Sequence, residues 1–191
     1  MLRKLVVPIL VLLTLTIGVP VAAQGAVLDI VDARGDVRRM DANGHWVKAE
    51  GEQRADILRT RMQHTDHAVV VRTKLDRLAR ERRLGMAMRI RTNDGTGRFV
   101  QLDVGRRIGW GGKTTITTRR GAAVQCRTSH TVDYANDVMA VRIPSSCLGN
   151  PRWVQATLVT VFFGGRTFLA DNPHNTTMRI GGVWTRRIGR G

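Results

Sequence analysis

Period-two alternation constrains this chain more than any other feature. In Leu84-Gly85-Met86-Ala87-Met88-Arg89-Ile90-Arg91 the even positions are large and apolar, and the odd positions are small or basic. That is a strand with one face on a core and the other toward water. Val100, Leu102 and Val104 repeat the pattern after the turn residues Asn93-Asp94-Gly95-Thr96-Gly97. Further strands are expected at Val27–Val31, Val37–Met40, His45–Lys48, Ile57–Gln63, Ala68–Leu75, Thr114–Thr118, Val124–Thr128, Val138–Ile143, Trp153–Phe163, Phe168–Ala170 and Met178–Trp184. Asn43-Gly44 is a hairpin signal, because the tight turn between two strands needs positive φ at its centre. Only Leu75–Leu84 could be helical, and its charged middle predicts a surface turn of helix or a loop. Many short strands at this spacing predict an all-β fold: a single antiparallel β-sandwich of jelly-roll type. It would occupy residues 24–191, which no Pro/Ser-rich linker divides.

The first 23 residues read as an address. Arg3 and Lys4 precede an apolar run from Leu5 to Val19, and Pro20-Val21-Ala22-Ala23 supplies a break and small residues. These are the parts of a secretory signal, with cleavage expected after Ala23. The rival is an uncleaved anchor, since Leu5–Ala23 is 19 residues without a charge, and a span needs about 20. Nothing later is apolar for long enough to span a membrane, so the mature chain is expected to be secreted and extracellular. In that compartment Cys126 and Cys147, the only cysteines, are expected to form one disulfide. A metal pair or a catalytic thiol is the competing use, and no CxxC spacing supports it.

The chain carries 31 Lys+Arg against 15 Asp+Glu, a net charge of +16. Only Arg3 and Lys4 leave with the signal, so the domain itself is basic. Arginines recur in close pairs: Arg38/Arg39, Arg59/Arg61, Arg89/Arg91, Arg106/Arg107, Arg119/Arg120 and Arg186/Arg187. An i, i+2 pair puts two guanidinium groups on one sheet face, a surface for polyanions. Coding bias is the other explanation, since lysine follows the signal at only Lys48, Lys74 and Lys113. No RNP-like aromatic set or helix-turn-helix is present, so sequence-specific nucleic-acid binding is not expected.

His64, Asp66 and His67 fall in what reads as an exposed turn, and HxxH without a third ligand is weak. Ser129, His130, Asp133 and Asp137 can be written as a triad, but no nucleophile elbow surrounds the serine. Gly109-Trp110-Gly111-Gly112-Lys113 lacks the spacing of a phosphate loop and reads as a tight turn. It makes Trp110 the candidate exposed stacking aromatic, with Arg89 and Arg91 as candidate ligand-binding partners. Trp46, Trp153 and Trp184 read as core. Asn175-Thr176-Thr177 matches a glycosylation sequon, which is not expected to be used.

Asp32-Ala33-Arg34-Gly35-Asp36, followed by Ala55-Asp56-Ile57 entering a strand, resembles the opening of secreted DOMON-like and family 9 carbohydrate-binding-module-like domains. The resemblance implies a β-sandwich and a structural Ca²⁺ with oxygen ligands from Asp32, Asp36 and Asp56. Asp171 is a candidate fourth ligand, because Ca²⁺ takes six to eight oxygens shared between loops. The alternative is that Asp and Gly here only build a turn. Val141-Arg142-Ile143-Pro144-Ser145-Ser146-Cys147-Leu148-Gly149-Asn150-Pro151-Arg152-Trp153-Val154 is similar to a segment of uncharacterised secreted actinobacterial proteins. The exposed aromatic pair that usually stacks on sugar in the binding modules has no evident counterpart. Three functions are therefore expected in order: a non-catalytic module binding an envelope glycan or anionic polymer, a secreted hydrolase, and a structural envelope protein without a small ligand. The oligomeric state stays open.

Overall fold

The computed structural model describes residues 25–174 and 183–191. The expected signal with its cleavage point, the sequon and most of the Met178–Trp184 strand lie outside them. The described chain is all-β, with thirteen strands and no α-helix. In order they are β1 (Ala26–Val31), β2 (Arg38–Met40), β3 (Trp46–Lys48), β4 (Ile57–His64), β5 (Ala68–Leu75), β6 (Arg83–Thr92) and β7 (Gly97–Gly105). There follow β8 (Gly109–Thr118), β9 (Ser129–Asp133), β10 (Val138–Pro144), β11 (Trp153–Gly164), β12 (Thr167–Asp171) and β13 (Ile188–Gly189). Leu75–Leu84 forms no helix.

The strands form two antiparallel sheets. The smaller runs β1-β4-β5-β10-β9, and the larger runs β3-β2-β12-β11-β6-β7-β8, with β13 added to one end of β11. The alternation explains the layers. Leu84, Met86, Met88 and Ile90 of β6 are almost wholly buried and join Met62, Val69, Val71, Val141 and Ile143 of the other sheet in one cluster. Burying a Leu, Ile or Met is worth about 1.5–3 kcal/mol, so this shared cluster holds the two sheets together.

The outer face of the larger sheet is not uniformly polar. Ala87, Val159, Val161 and Ala170 form a second small cluster there, flanked by Trp46, Phe99 and Phe168. Phe168 lies 5.2 Å from Trp46 and 4.8 Å from Phe163, ring centre to ring centre.

Several expected elements differ. Gly109–Lys113 opens strand β8 rather than making a tight turn. Val124–Thr128 is not a strand; only an isolated bridge between Thr117 and Ala123 precedes it. The described end of the Met178–Trp184 segment, Val183 and Trp184, is irregular. His64 is not an exposed turn residue: it closes β4 and is fully buried, because its Nδ1 reaches the Ile188 carbonyl at 3.1 Å. Cys126 and Cys147 are disulfide-bonded, with their Cα atoms 5.8 Å apart. The bridge ties the β8–β9 connection to the short 3-10 turn Ser145–Leu148 that follows β10.

Candidate functional site

Two constellations carry chemistry. The first is a basic pocket on the outer face of the larger sheet, of about 650 Å³. Strand register builds its floor: Arg89 of β6 faces Phe99 of β7, which faces Thr117 of β8, and Arg91 faces Gly97 in the next row. A Cβ at Gly97 would overlap the Arg119 side chain. The missing side chain is therefore what lets Arg119 fold over β7 toward Arg91.

Trp184 closes one side. Arg91 stacks on its ring, with the guanidinium carbon 4.3 Å from the ring centre. The segment is pinned to β11 from several directions. Thr185 donates its N–H to the Ala156 carbonyl at 2.9 Å, and its hydroxyl accepts from the Ala156 N–H at 3.0 Å. The Gln155 amide donates to the Thr185 carbonyl at 2.6 Å and accepts from Arg91 Nε at 3.1 Å. Arg98 also lines the pocket, held by the Cys147 carbonyl at 3.0 Å. Among the described residues the lining includes no carboxylate and no histidine. Guanidinium forks bind carboxylate or phosphate bidentately, and a stacked arginine is already oriented to do so.

Of the sequence candidates, Arg89 and Arg91 thus meet in one pocket and Trp110 does not join them. Trp110 sits seven residues from Thr117 near the other end of β8, about 23 Å away at strand spacing. It is half-buried, and its carbonyl accepts the Tyr134 hydroxyl at 2.9 Å. Sequence reasoning missed Trp184 as a surface residue, since an aromatic in an apolar run reads as core.

The second constellation is acidic. Asp32 follows β1 and Asp36 precedes β2, while Asp171 ends β12; one oxygen from each lies within 4.8 Å of the others. Gly35 between the first two has φ +79°, a conformation glycine adopts without steric cost. Its N–H donates to Asp56 Oδ2 at 2.9 Å. Ala55 holds a left-handed φ of 68° immediately before Asp56, a costly conformation for a residue with a side chain. Asp171 accepts N–H groups from Ile57 at 2.6 Å and Asn172 at 2.7 Å. The four aspartates therefore come from elements of both sheets.

Burial pushes all four carboxyls up: Asp171 to about 8, Asp32 to about 7, Asp56 to about 6, and Asp36 above its ordinary value. Repulsion between the carboxylates adds to the effect at Asp32, Asp56 and Asp171. Asp32 Oδ2, Asp36 Oδ1 and Asp56 Oδ1 are buried without a hydrogen-bond partner among the described residues, and Asp56 is fully buried. An all-oxygen set with orphaned lone pairs fits a hard cation. Two ligands across a Ca²⁺ are separated by at most about twice the 2.4 Å bond, which matches the span of the cluster. Asp56 lies beside the trio and holds the turn through Gly35.

The remaining candidates are used in the scaffold. The His130 ring bridges Thr114 Oγ1 at 3.0 Å and the Gly112 carbonyl at 3.2 Å. Asp133 accepts N–H groups from its own turn at Ala135 and Asn136, and Asp137 accepts from the Leu78 N–H at 2.9 Å. Neither carboxylate contacts His130. Among the described residues no helix is long and apolar enough to cross a membrane. Comparison with known protein families, curated proteins and solved structures finds no match.

Proposed function

We propose that this is a secreted, non-catalytic β-sandwich of jelly-roll type that binds an anionic envelope polysaccharide in the Arg89–Arg91–Arg119–Trp184 pocket. The observation that carries the reading is the pocket's composition: four arginines beside two aromatic side chains, with no carboxylate among the described lining residues. Guanidinium groups supply charge recognition, and Phe99 and Trp184 supply apolar surface for a sugar ring. The chain's repeated passage between the two sheets supports the jelly-roll reading: β5 to β6, β8 to β9 and β10 to β11 each cross. The disulfide supports an oxidising compartment. The distant DOMON-like resemblance agrees with a secreted binding module. Catalysis has less support: a glycoside hydrolase needs two carboxyl groups flanking its cleft, and none is among the described residues of this one.

A structural Ca²⁺ at Asp32, Asp36 and Asp171, with Asp56 behind them, is part of the same reading. It would neutralise the buried carboxylates and join elements of both sheets. The binding test is calorimetry of the mature protein with polygalacturonate, a neutral glucan and duplex DNA at two salt concentrations. The expected result is saturable binding of the polyuronate that survives moderate salt and weakens about tenfold or more in Arg89→Gln/Arg91→Gln. Equal binding of all anions, lost together as salt rises, would show charge attraction alone.

A further inference from the structure

A second basic cleft lies at the other end of β6, β7 and β8, about 590 Å³ in volume, and the first pocket does not use it. Its walls are the loop before β6 and the turn between β7 and β8. The turn is tight, with the Ile108 N–H donating to the Gly105 carbonyl at 3.0 Å. That geometry leaves Arg106 and Arg107 at the two corner positions, both exposed. Arg82, also exposed, faces them from the loop.

Glu81 also lines the cleft and Asp103 stands beside it, and both are paired. Glu81 pairs with Arg77, and Asp103 pairs with Arg83 at 3.1 Å. Arg82, Arg106 and Arg107 have no acidic partner among the described residues. Three guanidinium groups thus surround one opening, with their neighbours' charges already paired.

Strand β6 links the two clefts. Arg83 stands at one end and Arg89 and Arg91 near the other, all at odd positions and hence on one face. The eight residue steps from Arg83 to Arg91 span about 26 Å. The outward positions between Arg83 and Arg89 are Gly85 and Ala87, both buried: Asp103, whose charge Arg83 pairs, and Val161 close over Gly85, so a bound chain would cross these neighbours rather than β6 itself.

We infer that Arg82, Arg106 and Arg107 form a second anion subsite, and that the larger sheet binds one long anionic polysaccharide chain at both ends. The inference rests on the polyanion reading of the first pocket for its ligand class. Two subsites on one rigid face make the second contact intramolecular, so avidity rises without any new chemistry.

The test compares a galacturonate trimer, too short to bridge, with a long polygalacturonate chain by calorimetry. The wild-type protein is expected to bind the long chain at least about tenfold tighter than the trimer. Arg106→Gln/Arg107→Gln, in an exposed turn, is expected to remove that gain and leave trimer affinity at the first pocket unchanged. Equal affinity for trimer and long chain, or a gain that survives in the double variant, overturns the inference. So does a DNA duplex that binds as tightly as the long polyuronate and is weakened equally by the double variant. Failure of the first-pocket reading looks different: Arg89→Gln/Arg91→Gln would leave trimer binding unchanged. Loss of long-chain affinity in the Arg106/Arg107 variant would still support the second subsite in that case.

Discussion

Single side chains, present or missing, set the chemistry of both constellations. Gly97 acts through what it lacks, since the space beside it is filled by Arg119. Gly97→Ala needs no unusual backbone and meets only a flexible side chain, so stability should change by less than about 1 kcal/mol. Polyuronate affinity should fall several-fold as Arg119 is displaced; unchanged affinity by calorimetry would remove Arg119 from the site. Asp171 is the counterpart in the acidic cluster, where its carboxylate is fixed by two backbone N–H groups. Asp171→Asn removes a charged ligand oxygen, so the variant should lose the calcium-dependent rise in melting temperature expected of the wild type. A rise of equal size in Asp171→Asn would place the ion elsewhere. The aspartates were legible in the sequence because an Asp-Gly turn has a local signature. Trp184 was not, because its place depends on Gln155 and Thr185 gripping an irregular segment across 30 residues of chain.

Most strands were legible because burial on one face imposes alternation on the residues themselves. The misses have separate causes. Gly109–Lys113 looks like a turn by composition, yet β7 pairs with both its ends, Gly105 with Gly109 and Asp103 with Lys113 across a bulge, and that pairing overrides the low strand propensity of glycine. Val124–Thr128 has the composition of a strand but no ladder; the disulfide, one bridge and one hydrogen bond from the Val124 N–H to the Ile116 carbonyl hold it. His64 looks polar in sequence but sits under β13. The disulfide closes a loop of sequence separation 21 and should contribute about 3 kcal/mol through the unfolded chain. Urea unfolding with and without a reductant checks this; reduction should lower the midpoint and, by letting the unfolded chain expand, raise the slope. An unmoved midpoint would mean that the β8–β9 connection is held without the bridge.

At the scale of the molecule, the acidic cluster draws on both sheets, and with the proposed ion it should make stability depend on pH and metal together. Asp32, Asp56 and Asp171 hold protons in the fold up to about 7, 6 and 8, well above their value of 3.8 in an unfolded chain. Between those values the folded state binds more protons than the unfolded state, so stability falls as pH rises. In chelator, the melting temperature should decline from pH 5 to pH 8. Calcium competes with those protons, so millimolar calcium should restore the loss at pH 8 and do little at pH 5. A melting temperature that rises with pH in chelator would contradict the burial of these groups.

The two ends of the described chain share one anchor. Gly25 packs against the His64 carbonyl so closely that a Cβ would overlap it, and the Gly191 N–H points at the same oxygen at 3.4 Å. A linker of a few glycines could therefore join Gly191 to Gly25 and close the fold into a ring. Reopening that ring at the exposed Asn43-Gly44 hairpin would give a circular permutant with both sheets intact. Its new ends would leave from the tip between β2 and β3, so the molecule could be tethered to a surface in a second orientation.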